Sequence, residues 1–301
     1  MLFRSHVREV LRNFGPVFVS RGVVQISAYV DNWLASWLPE GAVAGLTSAQ
    51  LLYTLPVSLF GMAVSAAELP AMSSALGTDE EIGEYLRRRL NGGLRQIAFF
   101  IVPSAMGFLA LGGVITAALF QTGRFRHGDS VYVWGILAGS SVGLLASTLG
   151  RLYSSTYYAL RDTRTPLRYA VVRVALTTLL GYVSAIPLPH WVGIDARWGV
   201  AGLTASAGVA GWVEFTLLRR TLNRRIGSTG LPAMLVAKLW TAAAAAAGIA
   251  WAVKTAIGPH HPIFVAVAVL GPYGAVYFAT TYLMRVEECT RALRRFIPRG
   301  F

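Results

Sequence analysis

Apolar residues in this chain of 301 residues come in eight stretches separated by short polar connections. A helical membrane span needs ~20 mostly apolar residues. The stretches near 15–38, 43–72, 96–119, 131–158, 169–188, 198–218, 234–256 and 262–284 reach that length and predict eight transmembrane helices. Several are longer, which allows tilt or extension past the bilayer. Pro16, Pro56, Pro103 and Pro272 lie in or near these runs and favour kinks. The connections are short and turn-rich, as in Pro39-Glu40-Gly41 and Gly258-Pro259-His260-His261-Pro262. None is long enough for a separate soluble domain. The longest, 73–95, places Asp79, Glu80, Glu81 and Glu84 ahead of Arg87, Arg88 and Arg89. Acid first and base last suits a short helix whose dipole is complemented at both ends. The expected fold class is therefore all-α, a polytopic membrane bundle. Gly41-Ala-Val-Ala-Gly-Leu-Thr-Ser-Ala49 echoes Gly199-Val-Ala-Gly-Leu-Thr-Ala-Ser-Ala207. This is either an internal repeat, as in many transporters, or shared small-residue bias.

Composition agrees: 54% of residues are hydrophobic, 14% are charged, and the mean hydropathy is +0.53. A net charge of +13 would point to nucleic acid in a soluble protein. Here the arginines are sorted instead. Clusters at 4–12, 87–95, 161–168, 219–225 and 285–299 fall on one side of the predicted spans, whereas Arg124, Arg126 and Arg197 fall on the other. Cytoplasmic loops carry the Lys/Arg excess, so both termini are expected in the cytoplasm and no nucleic-acid partner is implied. In residues 1–14, Phe3, Val7, Val10 and Phe14 share one helical face and Arg4, Arg8 and Arg12 another. That pattern fits an amphipathic cytoplasmic helix on an anionic membrane surface, or else a solvated tail. It does not fit a signal peptide, because Arg21 interrupts the apolar run that follows. The single cysteine, Cys289, precludes an intrachain disulfide.

Ionisable residues at membrane depth are costly and face a cavity or a partner. Arg21 and Asp31 lie in span one, Glu68 late in span two, Arg151 in span four and Arg173 in span five. In span one, Ser20, Ser27 and Asp31 share a stripe beside Arg21, Gln25 and Asn32. Together they form a polar face about half the helix wide. It is either an internal salt-bridge network or the wall of a hydrated cavity for a charged head group. Glu68 acts as a gate or reaches the interface. Arg151 and Arg173 either snorkel or contact phosphate, for which Arg is well suited. Catalytic constellations are poor: no histidine has metal-ligand spacing, and there is no P-loop or nucleophile elbow. An enzyme is not expected, nor is a bound cofactor or metal.

The segment from Gly22-Val-Val-Gln through Asp31-Asn-Trp, Gly41-Ala-Val-Ala-Gly-Leu46 and Leu55-Pro-Val-Ser-Leu-Phe to Glu68-Leu-Pro70 resembles the seventh and eighth helices of the MurJ/MviN lipid II flippases. Leu119-Phe-Gln-Thr-Gly-Arg-Phe125 is similar to the family's loop after helix nine. Tyr157-Tyr-Ala-Leu-Arg-Asp-Thr-Arg-Thr-Pro166 is similar to its cytoplasmic turn before helix eleven. Such flippases have fourteen helices, and this chain resembles the second, MATE-like half-transporter lobe plus the final pair. The resemblance implies a six-helix transporter lobe at 15–225 and a final two helices with a basic cytoplasmic tail at 226–301. It implies a multi-pass protein of the bacterial inner membrane that moves undecaprenyl-linked peptidoglycan precursor between leaflets, among membrane lipids. A first-lobe partner chain follows if the gene is split. The cavity residues would be Arg21, Gln25, Asp31, Asn32, Arg151 and Arg173, with Glu68 at a gate or interface. Coupling would use a cation, Na+ or H+, at Asp31 and Thr177, or the membrane potential. The final helices would form a groove for the polyprenyl tail. Two departures stand out: Leu51 occupies the place of a cavity arginine in helix eight, and Gly181 accompanies Thr177 at the cation positions. The alternatives are a flippase for another polyprenyl-linked oligosaccharide and a non-transporting scaffold of a cell-wall complex.

Overall fold

The computed structural model describes residues 29–258 and 260–296. The candidate surface helix at 1–14 lies outside them, as do Pro16, Arg21 and Gln25. The described residues are helical throughout, without strands. A helical turn at 29–35 (α1) ends the first predicted span. It is followed by α2 (Ala42–Pro56), a π-helical turn (Val57–Met62) and α3 (Ala63–Ser73), which run on as one span. Then come α4 (Asp79–Phe120), α5 (His127–Ser141), α6 (Leu144–Ala159), α7 (Arg164–Ala185), the short α8 (Pro187–Val192), α9 (Gly199–Ile226), α10 (Ala233–Ile257), α11 (Pro262–Leu283) and α12 (Glu287–Phe296). Six helices are long and apolar enough to cross a membrane, and seven if α5 and α6 form one bent span. With the first span largely outside the described residues, this agrees with about eight.

The acidic–basic connection at 73–95 is not a separate short helix. It is the first half of α4, which continues for 42 residues, or ~63 Å at 1.5 Å per residue. Thr78 starts it with a capping box: its hydroxyl accepts from the Glu81 N–H, while the Glu81 carboxylate accepts from the Thr78 N–H at 2.8 Å. Asn91-Gly92-Gly93 lies inside this helix. Gly93 packs against Leu152 of α6, and the Asn91 amide oxygen accepts from the Gly230 N–H at 3.0 Å. Leu86, Leu90, Leu94, Ile97 and Ile101 form a fully buried stripe along α4. Around it pack α3, α5, α6, α10 and α11, which makes α4 the mast of the bundle.

Span four, expected as one helix, is broken: α5 and α6 meet at 44°. The cause lies on α9. Gly143 and Gly208 touch backbone to backbone, and a Cβ on Gly143 would sit 2.4 Å from the Gly208 Cα. The Val142 carbonyl at the break accepts from the Trp212 indole N–H at 2.9 Å. Pro103 removes an N–H from α4 and thereby frees the Phe99 carbonyl four residues earlier. The Tyr277 hydroxyl of α11 donates to that carbonyl at 2.6 Å, and Tyr273 donates to the Pro103 carbonyl at 2.6 Å. A membrane interior supplies no water to such groups, so side chains must satisfy them. Pro103 and Pro272 thus stay inside continuous helices, while Pro56 leads into the π-helical turn.

The turn between α6 and α7 is held by Asp162. Its carboxylate accepts from the Thr165 N–H and hydroxyl and pairs with Arg225 at 2.7 Å. Partial burial pushes this carboxyl up, but the Thr165 bonds and the Arg225 guanidinium outweigh it and hold the group below its ordinary value. The helix α12 was not anticipated from the sequence. It docks by Glu288, almost wholly buried, which accepts from Arg95 of α4 at 2.5 Å.

Two substitutions test this account. Tyr277→Phe leaves the Phe99 carbonyl unpaired and lowers stability by about 1–3 kcal/mol, read as a fall in the melting temperature in detergent. Gly143→Val forces α6 from α9 and costs about 1–3 kcal/mol in the same assay. Gly248→Ala, with no atom near its added Cβ, leaves the transition unchanged or raises it.

Candidate transport cavity

On α2, Leu46, Gln50, Tyr53 and Thr54 fall at helical spacing on one face. That face closes one side of a cavity of about 350 Å³. α1 contributes Asp31, the bent α5–α6 pair contributes Ser140, Gly143, Ser147 and Arg151, and α7 contributes Arg173. Small residues of α9, Ala207 and Gly208 among them, let the backbones approach and form the floor. Three of the ionisable residues expected at membrane depth, Asp31, Arg151 and Arg173, thus line one space, although they come from three different helices.

Their partners differ. The Arg173 Nη1 donates to Glu214 of α9 at 3.1 Å, while its Nε has no hydrogen-bond partner among the described residues. The Asp31 Oδ1 has no hydrogen bond among the described residues, and the nearby charge of Arg173 acts on it. Among the described residues Arg151 has no carboxylate within salt-bridge distance. The Tyr53 hydroxyl and Ser147 hydroxyl share a hydrogen bond of 2.7 Å, which ties α2 to α6 beside Arg151. The cavity therefore holds two guanidiniums and an acid in its lining; Arg151 lacks a carboxylate among the described residues, while the Arg173 Nε and the Asp31 Oδ1 are buried in its wall without a hydrogen bond there. Such a wall can hold a phosphate or pyrophosphate through charge-assisted hydrogen bonds.

Other expected site residues lie elsewhere. Thr177 is buried on α7 one turn beyond Arg173, outside the cavity lining, and its hydroxyl has no partner among the described residues. Asn32 is half-buried next to Asp31 and is also outside the lining. Glu68 pairs with Arg89 of α4 at 2.8 Å. Leu51 is 61% exposed and lies outside the cavity lining, whereas its neighbour Gln50 belongs to it. α2 therefore offers this space an amide where a cation was sought. Among the described residues, no three of His, Cys, Asp and Glu come together as a metal site.

The sequence reading missed Glu214 and Tyr53. Glu214 had a signal, being a lone acid within an apolar span. Tyr53 had none, since a tyrosine in an apolar helix looks like any other core aromatic. An apolar groove of about 390 Å³ also opens between α2, α4 and α11, with Leu55, Leu59, Phe60, Pro103, Leu119 and Tyr273 in its walls. It differs from the expected groove of the final two helices, because α10 contributes none of its lining.

The family model described as "Lipid II flippase MurJ" matches residues 2–270. A probable lipid II flippase MurJ of Bdellovibrio bacteriovorus is 29% identical over 223 residues, which cover 74% of this chain and 40% of that protein. The lipid II flippase MurJ of Burkholderia cenocepacia is 31% identical over 219 residues, covering 73% and 40%. This chain thus spans about two fifths of the length of these relatives. A solved structure of a lipid II flippase MurJ in an inward closed conformation superposes with a TM-score of 0.75, at 21% identity, over 93% of this chain and 55% of that one. That likeness shows the fold. With the family model matching most of its length, the chain belongs to the MurJ lipid II flippase family.

Proposed function

We propose that this chain forms the cavity-bearing C-terminal part of a flippase that carries a lipid-linked peptidoglycan precursor across the bacterial inner membrane. The observation that carries this reading is the convergence of Asp31, Arg151 and Arg173 on one polar cavity inside an apolar bundle. The barrier to flipping is electrostatic. Moving an unpaired charged head group into hydrocarbon costs tens of kcal/mol in the continuum limit, and a polar cavity with fixed cations lowers it. Arg151, without an acidic partner among the described residues, and Arg173, beside it in the lining, are assigned to the pyrophosphate. Gln50 and Tyr53 present neutral donors beside them. The apolar groove along α4 and α11 is assigned to the polyprenyl tail. Asp31 is assigned to energy coupling, through Na+, H+ or the membrane potential. The arginine-rich end of the bundle and both termini are placed in the cytoplasm. No covalent step is required. The remaining wall would come from a first lobe, on the same or a partner chain.

Complementation tests this reading. The chain is expressed with a first lobe from a relative in cells depleted of their lipid II flippase, and precursor is followed at the outer leaflet. Arg151→Ala should slow its arrival about ten- to a hundredfold, the loss of one charge-assisted contact, and Arg151→Lys should recover part. Unchanged export in Arg151→Ala, with protein in the membrane, would remove the phosphate role of that residue, and no rescue by the unsubstituted chain would favour a scaffold. A double-mutant cycle addresses the ion pair. Glu214→Leu leaves Arg173 uncompensated at membrane depth and should lower the melting temperature more than Arg173→Met with Glu214→Leu together. Effects of Glu214→Leu and Arg173→Met that simply add in the double variant would show that the pair is not coupled.

A further inference from the structure

A second site is built where α11 ends and α12 begins. α11 stops in a left-handed turn: the Arg285 N–H donates to Tyr282 O and the Val286 N–H to Thr281 O, both at 3.0 Å, with Arg285 at φ 55°. Glycine ordinarily holds this position. An arginine there accepts a strained backbone, and its guanidinium is delivered to the junction of the two helices. α12 turns Cys289 and Glu288 inward and leaves Arg291 and Arg294 outside. There lies a cavity of about 720 Å³ lined by Tyr282, Leu283, Arg285, Glu287, Thr290, Arg291 and Arg294.

Its chemistry is two-sided. Three guanidiniums and a hydroxyl face one carboxylate, and that carboxylate is already shared by Arg291 at 3.3 Å and Arg95 at 3.4 Å. Arg285 and Arg294 have no acidic partner among the described residues. The opposite wall is apolar: Leu283 is 79% exposed and Tyr282 57% exposed, on the last turn of a helix apolar enough to cross a membrane. A free anion would leave that wall wet. A phosphodiester with acyl chains attached would satisfy both sides, because arginine forks match phosphate oxygens and hydrocarbon covers Leu283 and Tyr282.

We propose that this cavity binds one anionic glycerophospholipid, its phosphodiester on Arg285, Arg291 and Arg294 and an acyl chain along Tyr282 and Leu283. The bound lipid fixes the junction of α11 and α12 to the membrane surface. It sits apart from the transport cavity and shares no residue with it.

The full chain in zwitterionic detergent, analysed by native mass spectrometry, provides the test. Phosphatidylglycerol, phosphatidylcholine and glycerol 3-phosphate are titrated separately and in competition. Wild-type protein should retain phosphatidylglycerol over phosphatidylcholine. Arg291→Gln with Arg294→Gln, which leaves the turn untouched, should cut that preference about thirtyfold. Adding Arg285→Asn, a residue that tolerates the left-handed backbone, should abolish it, with helicity by circular dichroism unchanged. Equal retention of the two lipids, or a preference unaltered in the double variant, would overturn the proposal. Displacement of phosphatidylglycerol by glycerol 3-phosphate at equal concentration would also overturn it, because the site would then recognise a soluble anion.

Discussion

In hydrocarbon no water completes a broken hydrogen bond, so each irregularity in a membrane helix must be repaired by a neighbour. That requirement organises this bundle. Pro103 opens the α4 ladder at Phe99, and Tyr277 closes it from α11. The bend between α5 and α6 exposes the Val142 carbonyl, and Trp212 of α9 reaches it. The repairs are also the joints, because each fastens two helices that are distant in sequence. The defects that loosen single helices hold the assembly together.

Charges follow the same rule with an added choice. Arg173 has found Glu214, Glu68 has found Arg89, and Arg95 has found Glu288. Asp31 and Arg151 have made no such pair among the described residues and face a polar space instead. Arg173 belongs to both groups, since it pairs with Glu214 and also lines the cavity. A transport site needs unspent hydrogen-bonding capacity, whereas a purely structural network would have exhausted it.

The sequence carried the spans, the sorting of the arginines and the ionisable residues at membrane depth, because these depend on local composition. It did not carry what depends on distant partners. The break at Gly143 is set by Gly208, and neither glycine differs in kind from the others nearby. That Gln50 rather than Leu51 lines the cavity is a matter of helix phase, where one position rotates a side chain by ~100°. The union of 73–95 with the third span depended on Asn91 and Gly93 finding Gly230 and Leu152. The tail helix α12 was hidden because its inward face, Glu288, Cys289, Ala292 and Leu293, is too short to register as an apolar stripe.

The length of α4 has a mechanical meaning. A rod of ~63 Å pivoting at its centre carries each tip through ~5 Å for a tilt of ~10°. Packing to α5, α6, α10 and α11 gives it a fulcrum, and Arg95 couples its arginine-rich arm to the tail. α4 itself contributes no residue to the cavity lining, so any such tilt would reach that space only through α5 and α6, which pack on α4 and carry cavity residues.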